Sequence, residues 1–223
     1  MIPISVVIPA WNAARYIGDA IDSVLSQSMA PDEIIVVNDG STDDTSECVR
    51  KFGSRITLIE QSNAGAAAGR NRGIAEAHGE AIALLDADDL MAPRRLELQR
   101  ALLAHDPDCA IALGRQLTFR SEQERLDLGA GGVNSSAVRA GYVPSAAMIR
   151  ANVFAMVGLF DPFLRIGDFL EWIRRAQSRG AAIKQMEEVV AFRRLHKGSV
   201  SQSAGAQYAN LVHALRKKTG GLE

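Results

Sequence analysis

Cysteine is scarce in this chain of 223 residues: Cys48 and Cys109 are the only two, and they stand far apart. That excludes a thiolate metal cluster and a disulfide framework, and it fits a reducing compartment. An excess of charge of either sign is missing too, since 25 Lys and Arg face 26 Asp and Glu for a net charge of −1. No overall charge marks nucleic acid or an anionic membrane as a partner. Long apolar runs are absent. The longest, Ala146 to Phe160, is interrupted by Arg150 and Asn152, so no transmembrane helix is expected. The opening Met1-Ile2-Pro3-Ile4-Ser5 lacks the basic start of a signal peptide, and the expected location is the cytoplasm. There is no internal repeat. After the first apolar run stands Pro9-Ala10-Trp11-Asn12 rather than Gly-x-Gly-x-x-Gly, and no Walker A loop occurs anywhere. A dinucleotide oxidoreductase is thereby disfavoured.

What the chain does have is Ala81-Ile82-Ala83-Leu84-Leu85 running straight into Asp86-Ala87-Asp88-Asp89. An unbroken apolar run bounded by Gly79 suits a strand covered on both faces. Three carboxylates at its end repel one another and raise one another's pKa unless a cation sits among them. Hard divalent ions take oxygen ligands, often one or two from protein with phosphate supplying others. Asp86 and Asp88 therefore read as a metal–diphosphate site, for which Mn²⁺ and Mg²⁺ are equally suited. The other reading is a helix N-cap at Asp88 or Asp89 ahead of Pro93, which accounts for one aspartate of the three. An aspartyl-phosphate phosphatase also places Asp-x-Asp after a strand, but Asp89-Leu90-Met91 lacks the threonine such enzymes carry.

The length suits one domain with a substantial core. Ile4–Ile8, Glu33–Val37, Ile56–Ile59 and Ala81–Leu85 read as strands. Helical spacing follows each: Tyr16 to Gln27, a capping-box pattern from Ser41 and Asp44 to about Phe52, Ala66–Ala77, and Arg94–His105. Such β-α alternation predicts an α/β fold, a parallel sheet with helices on both faces, and ligands outside the carboxyl ends of its strands. Pro9 to Asn12, Asn38-Asp39-Gly40 and Asp86 to Asp88 all fall there. The second half reads as strand over Cys109–Phe119, a long loop over Asp127–Gly141, strand and helix from Pro144 to Val157, and a helix over Gly167–Gly180. Two short strands, Ala182–Gln185 and Val189–Phe192, a basic turn over Arg193–Lys197 and a terminal helix over Gln207–Lys218 complete it. Residues 1–105 are expected to bind one substrate and residues 106–223 the other.

Ser5-Val6-Val7-Ile8-Pro9-Ala10-Trp11-Asn12, Val37-Asn38-Asp39-Gly40-Ser41-Thr42-Asp43, Asn63-Ala64-Gly65, Gly69-Arg70-Asn71 and Leu85-Asp86-Ala87-Asp88-Asp89 occur in this order. Together they resemble family 2 glycosyltransferases with the GT-A fold. The resemblance is specific over about the first 100 residues and looser to about residue 201. It implies a Rossmann-like, mostly parallel central sheet with a smaller mixed acceptor-side region, a nucleoside-diphosphate sugar donor, a divalent metal and an inverting transfer. Pro9, Ala10, Trp11, Asn12, Asn63, Gly65 and Ala87 would line the donor pocket. Pro9 and Asn12 read equally as a strand stop and a helix N-cap. Asp39 would accept a hydrogen bond from the N3–H of a uracil-like base, although Asn38-Asp39-Gly40 also has the makings of a plain turn. Arg70 is a candidate diphosphate or base contact, with a solvated helical arginine as the alternative.

Departure of the nucleoside diphosphate leaves negative charge, which a metal held chiefly by Asp88, with Asp86 beside it, would stabilise. The family places its base at an acidic pair opening a helix before Trp and Arg; the match is Gly167-Asp168-Phe169-Leu170-Glu171-Trp172-Ile173-Arg174. Glycine replaces the first acid, so Asp168 and Glu171 both stand as candidates, and the pair also has the spacing of a helix cap. Arg194 and His196 match a basic segment near the donor phosphates, His196 as a further metal ligand, while Ser199 stands where the family often has Asn. The expected partners are a UDP-sugar or related donor and a glycan or lipid-linked acceptor, without nucleic acid. A lipid-linked acceptor would bring contact with the inner membrane face, and Phe160, Phe163 and Leu164 read either as a homodimer surface or as core. The alternative function is a nucleotide-sugar-binding module that has lost catalysis through Gly167.

Overall fold

Strands with unbroken apolar runs, buried along nearly their whole length rather than at every second residue, are covered on both faces. In the computed structural model, which describes residues 2–121, 123–124 and 138–196, three such strands form the middle of the sheet. These are β1 (Ile4–Ala10), β2 (Glu33–Asp39) and β4 (Ala81–Leu84). With β3 (Thr57–Gln61) they run parallel in the order β3-β2-β1-β4. The sheet continues through β8 (Ala147–Arg150), β6 (Cys109–Phe119), β9 (Ala182–Arg194) and β5 (Leu90–Met91), with β7 (Val138–Arg139) beside β6. Here β8 is antiparallel to β4 and β6, whereas β6 and β9 are parallel.

Alternate side chains feed two cores. Val6 and Ile8 of β1, with Ile34 and Val36 of β2, pack beneath α1 (Ile17–Leu25), α2 (Thr45–Arg50) and α4 (Arg95–His105). Val7, Ile82 and Leu84 face the opposite side, under α3 (Ala66–Glu76), α5 (Ala151–Val157) and α6 (Asp168–Ser178). Fully buried Trp172 anchors that second core against Phe154, Phe160 and Phe169, its indole N–H donating to the Gly158 carbonyl at 2.7 Å.

Several boundaries differ from expectation for physical reasons. β1 runs through Pro9, because the last β1–β4 bond joins the Leu85 N–H to the Val7 carbonyl and no ladder bond is asked of the proline nitrogen. Asn12 does not cap α1, which starts five residues later at Ile17. No capping box opens α2: Ser41 and Asp43 bond to the first loop and to Thr45 instead. The two short strands expected over 182–192 are one strand, β9, which holds its pairing with β6 through register irregularities. Phe160 is core and Phe163 is exposed. Most of the loop expected over 127–141, Ser199 and the helix expected over 207–218 lie outside the described residues.

Candidate active site

The strand order reverses between β1 and β4, and the crevice outside the carboxyl ends of such strands is where open α/β sheets take ligands. The loop after β1 enters it with Trp11 59% exposed and Asn12 at φ 48°. Asn12 reaches the loop after β2: its N–H donates to Ser41 Oγ at 2.9 Å and its Oδ1 accepts the Thr42 N–H at 2.8 Å. Ala13 and Ala14 N–H donate to Thr45 Oγ1 and Asp43 Oδ2. Polar groups that looked like caps are thus the stitching between two site loops.

Asp39, at the end of β2, is buried to 2% exposure. Its Oδ1 accepts from Gln61 Nε2 at 2.7 Å and the Ala64 N–H at 2.9 Å, and its Oδ2 accepts the Gly65 N–H at 2.7 Å. A carboxylate has about four acceptor positions, so one remains, on Oδ2. Gly40 beside it has φ +68°, and a Cβ there would lie 2.7 Å from the Asn63 nitrogen, so the turn requires glycine. Asn63 itself is exposed and donates to the Asp39 carbonyl.

The carboxylates after β4 take three different partners. Asp86 Oδ1 accepts from Arg70 Nη2 at 2.7 Å, and the other arm of that guanidinium donates to Asp168 Oδ2 at 2.6 Å. Arg70 is 5% exposed and its Nε has no partner, whereas Arg72 pairs with Glu76 on the surface. Asp88 Oδ2 lies 3.0 Å from His196 Nε2. Asp89 is buried; it accepts from Ser145 Oγ at 2.7 Å and from the Arg194 N–H at 3.0 Å. None of the three caps α4, whose N-cap is Arg94 without a side-chain bond.

From β9, Arg194 closes over this loop. Its guanidinium lies 4.9 Å from the ring centres of both Tyr16 and Phe119, donates from Nε to the Asp88 carbonyl, and pairs with Asp19 at 2.8 Å. His196 rests against Tyr16, ring centres 4.6 Å apart. Opposite, Gly167 at φ +78° is the N-cap of α6, so the carboxylate of Asp168, its first residue, is released to Arg70 rather than spent on a cap. Glu171 is held elsewhere, bonded by both oxygens to Arg175 at 2.7 and 3.0 Å.

Burial and the charge of Asp86 raise the Asp88 carboxyl above the ordinary range, against the pull of His196. Burial, then Asp88 and Asp86, push Asp89 well above it. A cation among them would relieve that cost. Among the described residues no group of three or more His, Cys, Asp and Glu is arranged to hold a metal. Asp88 and His196 do offer an oxygen and a nitrogen in the same place, which fits an ion that takes its remaining ligands from phosphate and water.

The structure therefore gathers Asp86, Asp88, Arg70, Asp168, Arg194 and His196 into one cluster and leaves Glu171 outside it. Pro9, Ala10, Trp11 and Asn12 form one wall; Asp39, Asn63 and Gly65 form a second group under the β2 end. Sequence reasoning missed Ser145, whose hydroxyl accepts the Asp86 N–H and donates to Asp89. It also missed Arg95, fully buried, which donates to the carbonyls of Leu84, Ser145 and Ala147. The Arg95–Gln99 pair at helical spacing on a buried face was the one available signal.

Comparison with known proteins bears on the fold and the family. The chain is 29% identical over 217 residues to Uncharacterized glycosyltransferase RT0329 of Rickettsia typhi, covering 90% of this chain and 66% of that protein. Its fold superposes on S. aureus TarS 1-349 in complex with UDP-GlcNAc with a TM-score of 0.75 at 18% identity, covering 99% of this chain and 68% of that one. It also superposes on the mannosyltransferase PcManGT of Pyrobaculum calidifontis, in complex with GDP-Man and Mn²⁺, with a TM-score of 0.74 at 22% identity, covering 100% of this chain and 66% of that one. The chain thus spans about two thirds of the length of these relatives, and the fold is the GT-A type. The pattern described as Glycosyl transferase family 2 matches residues 5–128, more than half of the sequence, and the chain belongs to that family.

Proposed function

We propose that the chain transfers a sugar, with inversion, from a nucleoside-diphosphate sugar to an acceptor hydroxyl, with Asp168 as the base. The observation that carries this reading is Arg70, whose one guanidinium bonds both Asp86 after β4 and Asp168 at the head of α6. It sets the strand-end carboxylates and a candidate base against each other across one small crevice. Attack on the anomeric carbon needs a carboxylate within hydrogen-bond reach of the incoming hydroxyl; Asp168 faces the crevice, while Glu171 is tied to Arg175. Arg70, leaving Asp168 for the donor phosphates, would free that carboxylate as the substrates assemble.

Residues 1–105 would hold the donor and the remainder the acceptor, a glycan or a lipid-linked sugar in the cytoplasm. The single acceptor position left on Asp39 suits the one imino N–H of uracil better than the paired donors of guanine, so UDP is favoured. Asp88 and His196, with Asp86 beside them, would hold Mn²⁺ or Mg²⁺, which supplies charge for the departing diphosphate. Arg194, fixed between Tyr16 and Phe119, would orient those phosphates.

Calorimetric titration of UDP and GDP, each with Mn²⁺ and then with chelator, tests the donor side. Metal-dependent binding of UDP alone is expected; binding of neither nucleotide would sink the reading. Asp168→Asn should keep nucleotide affinity and lose about 10²–10⁴ in turnover. Nucleotide binding in the native protein with no release of sugar to any acceptor or to water would identify a binding module instead.

A further inference from the structure

Four large apolar side chains are exposed among the described residues, and three of them fall within eight positions: Met156 at 41%, Leu159 at 43% and Phe163 at 92%. The segment is firmly based. Phe160, between them, is buried against Phe154, Phe169 and Trp172. Arg175 of α6 holds its backbone through the Val157 and Leu159 carbonyls, and Arg179, just past the helix end, through that of Met156. The outward side chains are therefore displayed on a fixed base rather than on a loose loop.

The charge around them that is left without an ion pair is mostly positive. Asp168 shares Arg70 with Asp86, and Glu171 pairs with Arg175. Arg165, Arg174 and Arg179 form no ion pair among the described residues, and against them stands Asp161, which accepts the Phe163 N–H. The net charge of −1 averages over the whole chain and hides this local excess. Exposed apolar residues with Arg165 in the same segment and Arg179 on the Met156 carbonyl match a surface that is apolar below and anionic at the headgroups.

We propose that residues 156–165, with Arg174 and Arg179, dock on an anionic lipid bilayer, Phe163 entering the interface and Arg165, Arg174 and Arg179 lying over lipid phosphates. A second copy is the poorer occupant, because a two-fold interface would set these arginines against themselves. The chain's own Arg216-Lys217-Lys218 carries the same sign and would be repelled. Asp168 follows Arg165 by three residues, so docking turns that side of the site toward the lipid. The inference does not need the transfer reading, and its test is separate.

The full chain is sedimented with vesicles of phosphatidylcholine alone and with about 30 mol % phosphatidylglycerol. Binding should require the anionic lipid and fall steeply with salt. Arg165→Glu should weaken it at least about fivefold. Phe163→Ser, at a site 92% exposed, should weaken it by about tenfold with the circular dichroism unchanged. Equal binding to neutral vesicles, or binding untouched in both Arg165→Glu and Phe163→Ser, would overturn the proposal. So would a dimer in light scattering that Phe163→Ser dissolves.

Discussion

Arg95 offers the sharpest test of how this site is built, because two large effects oppose each other there. The guanidinium is fully buried, and burial pushes its pKa down to about 9, well below the usual arginine value, with the charges of Asp89 and Asp86 holding it up. That drop corresponds to about 5 kcal/mol spent on keeping a cation in the core. Four hydrogen bonds offset it: 3.0 Å to Gln99 Oε1, 2.5 Å to the Ser145 carbonyl, 2.9 Å to that of Leu84 and 2.8 Å to that of Ala147. Bonds from a charged donor contribute about 1.5–3 kcal/mol each, so about 6–12 kcal/mol together. The balance, about 1–7 kcal/mol, favours arginine, and about 3 kcal/mol lies in its lower half.

Arg95→Met removes the cost and the bonds but leaves three carbonyls in a place water does not reach. Whole buried ionic sets replaced by apolar residues often become more stable; here the acceptors are main chain and stay behind. The expected result is a loss of about 3 kcal/mol, or about 6–12 °C in melting temperature for a chain of this size. Arg95→Lys, with fewer donors but the charge kept, should fall between. The assay is thermal unfolding followed by circular dichroism at neutral pH. Arg95→Met melting at or above the native temperature would refute the reasoning, since it would mean that desolvation outweighs the bonds.

Three further substitutions probe separate links. Asp88→Asn should remove metal-supported nucleotide binding. Because the folded Asp88 holds its proton above the ordinary carboxylate value, native stability without metal should fall as pH rises from that ordinary value through the raised one; the variant should fall less over the same interval, and an unchanged slope in urea unfolding would contradict the assignment. Glu171→Gln should cost about 0.3–1 kcal/mol, as for a pair whose side chains are 30% and 31% exposed, with turnover within about twofold of native if Asp168 is the base; a loss comparable to that of Asp168→Asn would exchange their roles. Gly73→Ala would place a Cβ 2.4 Å from Val7 Cγ1 and 3.3 Å from Val37 Cγ2, so a melting shift equivalent to about 1–3 kcal/mol is expected from overpacking α3 on the sheet.

What could be read from the sequence separates cleanly by range. The four parallel strands, the Asp86-Ala87-Asp88 loop and the helix opening at Asp168 are each written in a few neighbouring residues, by apolar runs and the change to polar punctuation. Who pairs with whom is not. Arg70 meets Asp168 across 98 positions, Arg194 meets Asp89 across 105, and Arg194 meets Asp19 across 175. No local pattern distinguishes Arg70, which is buried, from Arg72, which is solvated; the sheet order decides. The capping signals failed for the same reason: Asn12 and Ser41 have the chemistry of caps, and the fold spends that chemistry on joining two loops. Gly167 shows the reverse case, where a departure from the family's pattern has a visible cause. At φ +78° the position suits glycine, and an acid there would have to adopt a strained backbone in order to double the charge beside Asp168. With glycine, Arg70 is shared by two carboxylates, Asp86 and Asp168, rather than three.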